Sequence, residues 1–164
     1  MNLLYKKLIP DMYANSIYDI NFGKLKERGI TSLVFDIDNT LVPQKVLSVD
    51  RKVINLFKFL KSKGFKVCLI SNNTTKRVNN FTKNTGVPGV SWAIKPRKAA
   101  FYKALKMLDA KPEETAIIGD QIFTDILGGH RVGLFTILVP PLSSDEFAWT
   151  RLMRKLERRV LKKV

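Results

Sequence analysis

Short apolar runs recur along the chain, each closed by a polar cluster and followed by residues at helical spacing. The runs fall at Ser32–Phe35, Lys66–Ile70, Ser91–Ile94, Thr115–Ile118 and Leu134–Val139. They are too continuously apolar to have one wet face, so they predict strands covered by helices on both sides. Between them Val53, Phe57 and Leu60 recur at helical spacing, as do Phe101, Leu105 and Leu108. Pro96 suits the first turn of the second of these helices, where its missing N–H costs nothing. Such alternation predicts an α/β fold built on a parallel sheet. No internal repeat, low-complexity tract or linker interrupts the 164 residues, and one domain over 1–164 is expected.

The end of the chain reads differently. Ser143 and Glu146 are placed for a capping box, and 145–164 predict a basic amphipathic helix. Trp149, Leu152, Met153, Leu156 and Val160 fall on one stripe, opposite a face of arginines and lysines. This helix either packs its stripe on the domain or lies on an anionic bilayer. The apolar N-terminal residues Leu3, Leu4, Leu8 and Ile9 carry the same pair of readings.

Charge narrows the partners. Twenty-nine Lys and Arg against 14 Asp and Glu give a net charge of +15, a field that gathers polyanions: nucleic acid, an anionic membrane surface or phosphorylated substrates. No apolar run approaches the roughly 20 residues of a membrane-spanning helix, and the N-terminus lacks a cleavage site of small residues. The single cysteine, Cys68, sits in an apolar run and predicts a buried strand position in a reducing, cytoplasmic setting. Oligomeric state is not legible in the sequence.

The chemistry lies in the polar clusters. In open parallel sheets, ligands bind beyond the carboxyl ends of the strands, so residues there should converge. After the first run stand Asp36, Asp38 and Thr40; two neighbouring carboxylates ending an apolar strand repel unless a cation or proton intervenes. After the second come Ser71, Asn72, Asn73 and Thr74, able to hold phosphate oxygens or to cap a helix. After the third comes Lys95, a compact positive charge, and after the fourth come Gly119, Asp120 and Asp125. Gly119 is read as permitting a sharp turn. His130, among Gly128, Gly129 and Gly133, reads as a loop residue at a helix end.

Taken in order, Asp-x-Asp-x-Thr, Ser, Lys and Gly-Asp-x-x-x-x-Asp resemble the four motifs of the haloacid dehalogenase (HAD) superfamily. The resemblance implies a Rossmann-like, three-layer, doubly wound sheet with no cap or a minimal one. It implies a magnesium-dependent phosphatase, with Asp36 as nucleophile and metal ligand. Asp38 corresponds to the general acid/base and supplies its backbone carbonyl to the metal. Ser71, Asn72 and Lys95 correspond to the phosphate-binding groups, Asp120 to a metal ligand, and Thr40 and Asp125 to supporting residues. The intervals of 35 residues from Asp36 to Ser71 and 24 from Ser71 to Lys95 leave no room for a cap domain. A receiver-like phospho-aspartate domain is the alternative from another class, but Lys95 stands where such domains carry the acceptor.

The short layout, Lys95-Pro96 and the N-terminal stretch from Leu8 to Ile20 resemble subclass IIIA, particularly its phosphatidylglycerophosphatase-type branch shared by bacteria and mitochondria. That resemblance implies a phospholipid ester as substrate and peripheral contact with the inner face of an anionic membrane. Nucleic-acid ends and small soluble phosphate esters are the alternative substrates.

Overall fold

A computed structural model describes residues 6–143. The predicted helix at 145–164, Leu3 and Leu4 lie outside the described residues. Six parallel strands form the sheet: β1 (Met12–Tyr13), β2 (Ser32–Asp36), β3 (Lys66–Ile70), β4 (Gly89–Val90), β5 (Thr115–Gly119) and β6 (Phe135–Leu138). Their order across the sheet is β1-β6-β5-β2-β3-β4. The chain winds from β2 outward through β3 and β4, then returns to β2's other side with β5. The switch point therefore lies between β2 and β5, where parallel sheets open a crevice at their carboxyl ends.

Helices α1 (Phe22–Glu27), α2 (Arg51–Ser62), α3 (Thr75–Thr85), α4 (Lys98–Leu108) and α5 (Leu127–Val132) cover the sheet. Side-chain alternation along the strands sorts them into two faces. Leu33 and Phe35 of β2 join Val53, Phe57 and Leu60 of α2 and Phe81 of α3 in one cluster. Val34, Cys68, Ile70 and Ile117 face α4 through Phe101, Leu105 and Leu108 in another. Three layers result. The helical spacings at 53–60 and 101–108 thus report buried stripes, and Cys68 is buried as expected.

Three sequence expectations change. The apolar run Ser91–Ile94 is not a strand: β4 ends at Val90, and Trp92 and Ile94 take positive φ and face solvent. Pro96 lies ahead of α4, whose N-cap is Arg97, rather than in its first turn. His130 lies inside α5, and its glycine neighbours serve packing: a Cβ on Gly128 would strike Phe101, and one on Gly129 would strike Ile117. Gly133, with φ +85, is the residue that ends the helix.

The N-terminal stretch is tied to the far edge of the sheet. Asp11 accepts bonds from the backbone N–H of Thr136 at 2.8 Å and its hydroxyl at 2.9 Å. His130 Nε2 lies 3.0 Å from the same carboxylate, and Nδ1 lies 2.9 Å from the carbonyl of Lys7. Leu8 is buried against Ile122 and Ile126. Packing, and not an external contact, accounts for Leu8.

Candidate active site

Four strand ends deliver the polar residues. Asp36 is the last residue of β2, and Asp120 follows β5, its immediate neighbour. Asp125 comes from a single π-helical turn, Ile122–Ile126, of the kind that recurs at functional sites. One carboxylate oxygen from each of Asp36, Asp120 and Asp125 lies within 4.8 Å of the others, and all three residues are buried. Lys95 Nζ reaches Asp36 Oδ1 at 2.5 Å and Asp125 Oδ1 at 2.6 Å.

Neighbouring groups fix each member. Thr40 donates its hydroxyl to Asp120 at 3.1 Å. The backbone N–H of Gln121 donates to Asp125 Oδ2 at 3.1 Å. The side-chain oxygen of Asn72 accepts the backbone N–H of Lys95 at 2.8 Å, so Asn72 braces the lysine. Gly119 serves by close approach and not by a turn: its φ is not positive, and an added Cβ would collide with the Asp125 carboxylate.

The electrostatics follow from burial. Desolvation pushes the Asp36 carboxyl well above the ordinary carboxylate range; Lys95 opposes the rise, while Asp125 and Asp120 add to it. Burial alone would lower Lys95, but Asp125 and then Asp36 outweigh it and hold the ammonium above its usual value. Three carboxylates against one ammonium leave a deficit of positive charge at a buried site, which is costly without a further cation. A hard divalent ion that accepts oxygen ligands suits this donor set.

Asp38 stands apart from the cluster. Expected as general acid/base, with only its backbone carbonyl as a metal ligand, it lines the cleft with a partly exposed carboxylate. It accepts from Arg77 Nε at 2.7 Å, Ser71 Oγ at 3.1 Å and Asn73 Nδ2 at 3.4 Å. Arg77 Nη2 lies 2.7 Å from the same Asp38 oxygen but off hydrogen-bonding geometry. Asp125, expected as a supporting residue, joins the buried cluster directly. Arg77 itself was missed. It is buried on α3 and donates Nη1 to the carbonyl of Val46 at 2.8 Å, linking Asp38 to the loop before α2. One arginine among 29 basic residues carries no pattern, so only the tertiary structure exposes its partnership. Thr74, as its capping alternative implied, is the N-cap of α3. Asp36, Asp38, Ser71, Asn72 and Lys95 all line one cleft of about 430 Å³, with Trp92, Gln121, Phe123 and Thr124 at its walls.

The haloacid dehalogenase-like hydrolase model matches residues 46–133, a span holding Ser71, Lys95, Asp120 and Asp125. The chain belongs to that family. This hydrolase is 40% identical over 159 residues to the probable phosphatase YqeG of Bacillus subtilis (strain 168), covering 97% of this chain and 92% of that protein. It is 25% identical over 166 residues to phosphatidylglycerophosphate phosphatase 1, chloroplastic/mitochondrial, of Arabidopsis thaliana, covering 95% of this chain but only 48% of that one. An uncharacterized protein from Listeria monocytogenes serotype 4b shares the fold, with a TM-score of 0.57 at 20% identity over 82% of this chain and all of that one. Membership in a hydrolase family displaces the receiver-like alternative.

Proposed function

We propose that this hydrolase cleaves phosphomonoesters with magnesium through an aspartyl-phosphate on Asp36, and that its substrate is phosphatidylglycerophosphate, converted to phosphatidylglycerol at a membrane surface. The observation that carries the chemistry is the buried convergence of Asp36, Asp120 and Asp125 beside Lys95. Magnesium, held by Asp36, Asp120 and the Asp38 backbone carbonyl, would offset the repulsion between a carboxylate and a dianionic ester. Asp36 then attacks phosphorus, and the ester oxygen leaves. Asp38, at the open side of the cleft, protonates that oxygen and later takes a proton from the hydrolytic water; such help is typically worth about 10²–10⁴ in rate. Ser71, Asn72 and Lys95 hold the phosphoryl group, Lys95 by charge. Thr40 and Asp125 keep Asp120 and Lys95 in place.

The lipid substrate draws support from the plant relative's activity, from subclass IIIA motifs and from the open, capless cleft. A cytoplasmic protein bound peripherally to the inner face of the membrane fits this reading. Among the described residues, no helix is long and apolar enough to cross a membrane.

Phosphate release tests both levels. Asp36→Asn is expected to lower turnover of an aryl phosphate by about 10⁴-fold or more with the fold intact, and chelation of magnesium should silence the wild type. Retained activity in either case would remove the covalent or the metal-dependent part. Across phosphatidylglycerophosphate vesicles, 3′-phosphorylated oligonucleotides and sugar phosphates, the lipid should be preferred. A preference for either other class would overturn the lipid assignment and leave the chemistry standing.

A further inference from the structure

The catalytic cleft continues into a larger groove of about 990 Å³, with Gln44, Asn73 and Thr74 common to both. The groove adds Lys45, Lys76 and Lys83, and among the described residues lining it none is acidic. Leu47 stands at its edge, 74% exposed. Trp92, which lines the cleft, is 61% exposed, and Ile94, next in the chain to the cleft-lining Lys95, is 57% exposed.

Single exposed apolar residues need no explanation, but these two are presented at a cost. Trp92 has φ 50 and Ile94 φ 49, a region that strains large side chains and β-branched ones most. The backbone is held there firmly. The N–H of Trp92 bonds the Asn73 carbonyl at 3.0 Å, that of Ala93 bonds the Ser71 carbonyl at 3.0 Å, and that of Lys95 is held by Asn72. Ala93 and Lys95 are thereby buried while Trp92 and Ile94 project outward. A rigid rim displays an indole and two aliphatic side chains beside three exposed lysines.

An anionic bilayer complements both parts. Indole and aliphatic groups partition to the boundary of headgroups and acyl chains, and lipid phosphates attract lysines. Nucleic acid would answer the lysines and stack on Trp92, but it would leave Leu47 and Ile94 in water.

We propose that the rim of the catalytic cleft is itself the membrane-docking surface, with Trp92, Ile94 and Leu47 entering the headgroup region of an anionic bilayer and Lys45, Lys76 and Lys83 engaging its phosphates. The proposal rests on the lipid reading and refines it. The cleft faces the membrane, so a headgroup ester reaches Asp36 while the acyl chains stay in the bilayer.

Fluorescence decides it. The full chain carries two tryptophans, so Trp149→Phe leaves Trp92 as sole reporter. Vesicles of phosphatidylcholine with phosphatidylglycerol should shift its emission to the blue, and brominated acyl chains should quench it; pure phosphatidylcholine should do far less. Neutralising one groove lysine, as in Lys83→Gln, should weaken vesicle binding about fivefold. A second reporter is Ile94→Cys labelled with an environment-sensitive dye, since the native Cys68 is buried. Sedimentation with anionic vesicles without any response from either reporter would overturn the proposal by placing the contact elsewhere. So would an emission shift produced by oligonucleotides but not by lipids. Phosphate release from phosphatidylglycerophosphate in detergent micelles is measured alongside. If the lipid is cleaved preferentially there while the reporters stay silent, the docking surface is wrong and the substrate right; poor cleavage there counts against the substrate.

Discussion

At the floor of the cleft, Asp36, Asp120 and Asp125 are buried close together, with Lys95 bound to Asp36 and Asp125; at the rim and the adjoining groove, Asp38, Trp92 and Leu47 keep contact with water. Asp36 and Asp38 are only two residues apart, yet one ends inside a charge cluster and the other, 16% exposed at its side chain, pairs with Arg77. The difference comes from what surrounds them. β2 carries Asp36 to the sheet's switch point, while the chain beyond it bends through the Asp38–Val42 bridge and hands Asp38 to α3. The floor thus gathers fixed charge, whereas the rim holds Asp38, the residue proposed to exchange protons with solvent.

Several substitutions would break or sharpen that contrast. After Asp36→Asn, the largest effect is expected for Asp120→Asn. Activity should fall by about 10³-fold, in line with the several kcal/mol a bound cation contributes. In chelator, the same variant should melt higher than the wild type, by about 1 kcal/mol of stability, because one of three mutually repelling carboxylates is gone. Calorimetry checks this, and a lower melting temperature would show that the floor is not strained by charge. Gly119→Ala forces a Cβ against Asp125 and should cost about 10²-fold in kcat through displacement of the lysine it holds.

The Arg77 pair offers a milder test of the rim. Arg77→Ala should lower kcat by about tenfold with little change in KM, since Asp38 loses the partner that orients it. Arg77→Lys, which keeps charge but not the forked geometry, should recover only part of the rate. An unaltered kcat in both variants would confine Arg77 to packing. The smallest effect concerns Cys68, whose thiol burial pushes up to about 12. Alkylating reagents should leave the native chain unmodified and fully active, and modify it only on unfolding.

The floor was legible in the sequence because Asp36 and Asp120 close predictable strands, and Lys95 and Asp125 follow them in motif order, all of residue types that are expensive to bury. The parallel pairing of β2 with β5 brings Asp36 and Asp120 together, while the loop after β4 and the π-helical turn after β5 add Lys95 and Asp125. The rim depends on tertiary detail. The run Ser91–Ile94 has the composition of a strand, and nothing local shows that the loop after Ser71 captures its backbone N–H groups and turns Trp92 outward. Arg77 is hidden by the abundance of other cations, and β1 is too short, at two residues, to leave a pattern. Asp11 belongs to the N-terminal stretch read for its resemblance, but its structural role was hidden because its partner Thr136 lies 125 residues away.

The covalent role of Asp36 is open to one direct measurement. Acid quenching during steady turnover of an aryl phosphate, followed by peptide mass spectrometry, should find one phosphoryl group on the peptide carrying Asp36, and hydroxylamine should release it. Turnover without that adduct, or a phosphoryl group trapped on any other residue, would contradict attack by Asp36.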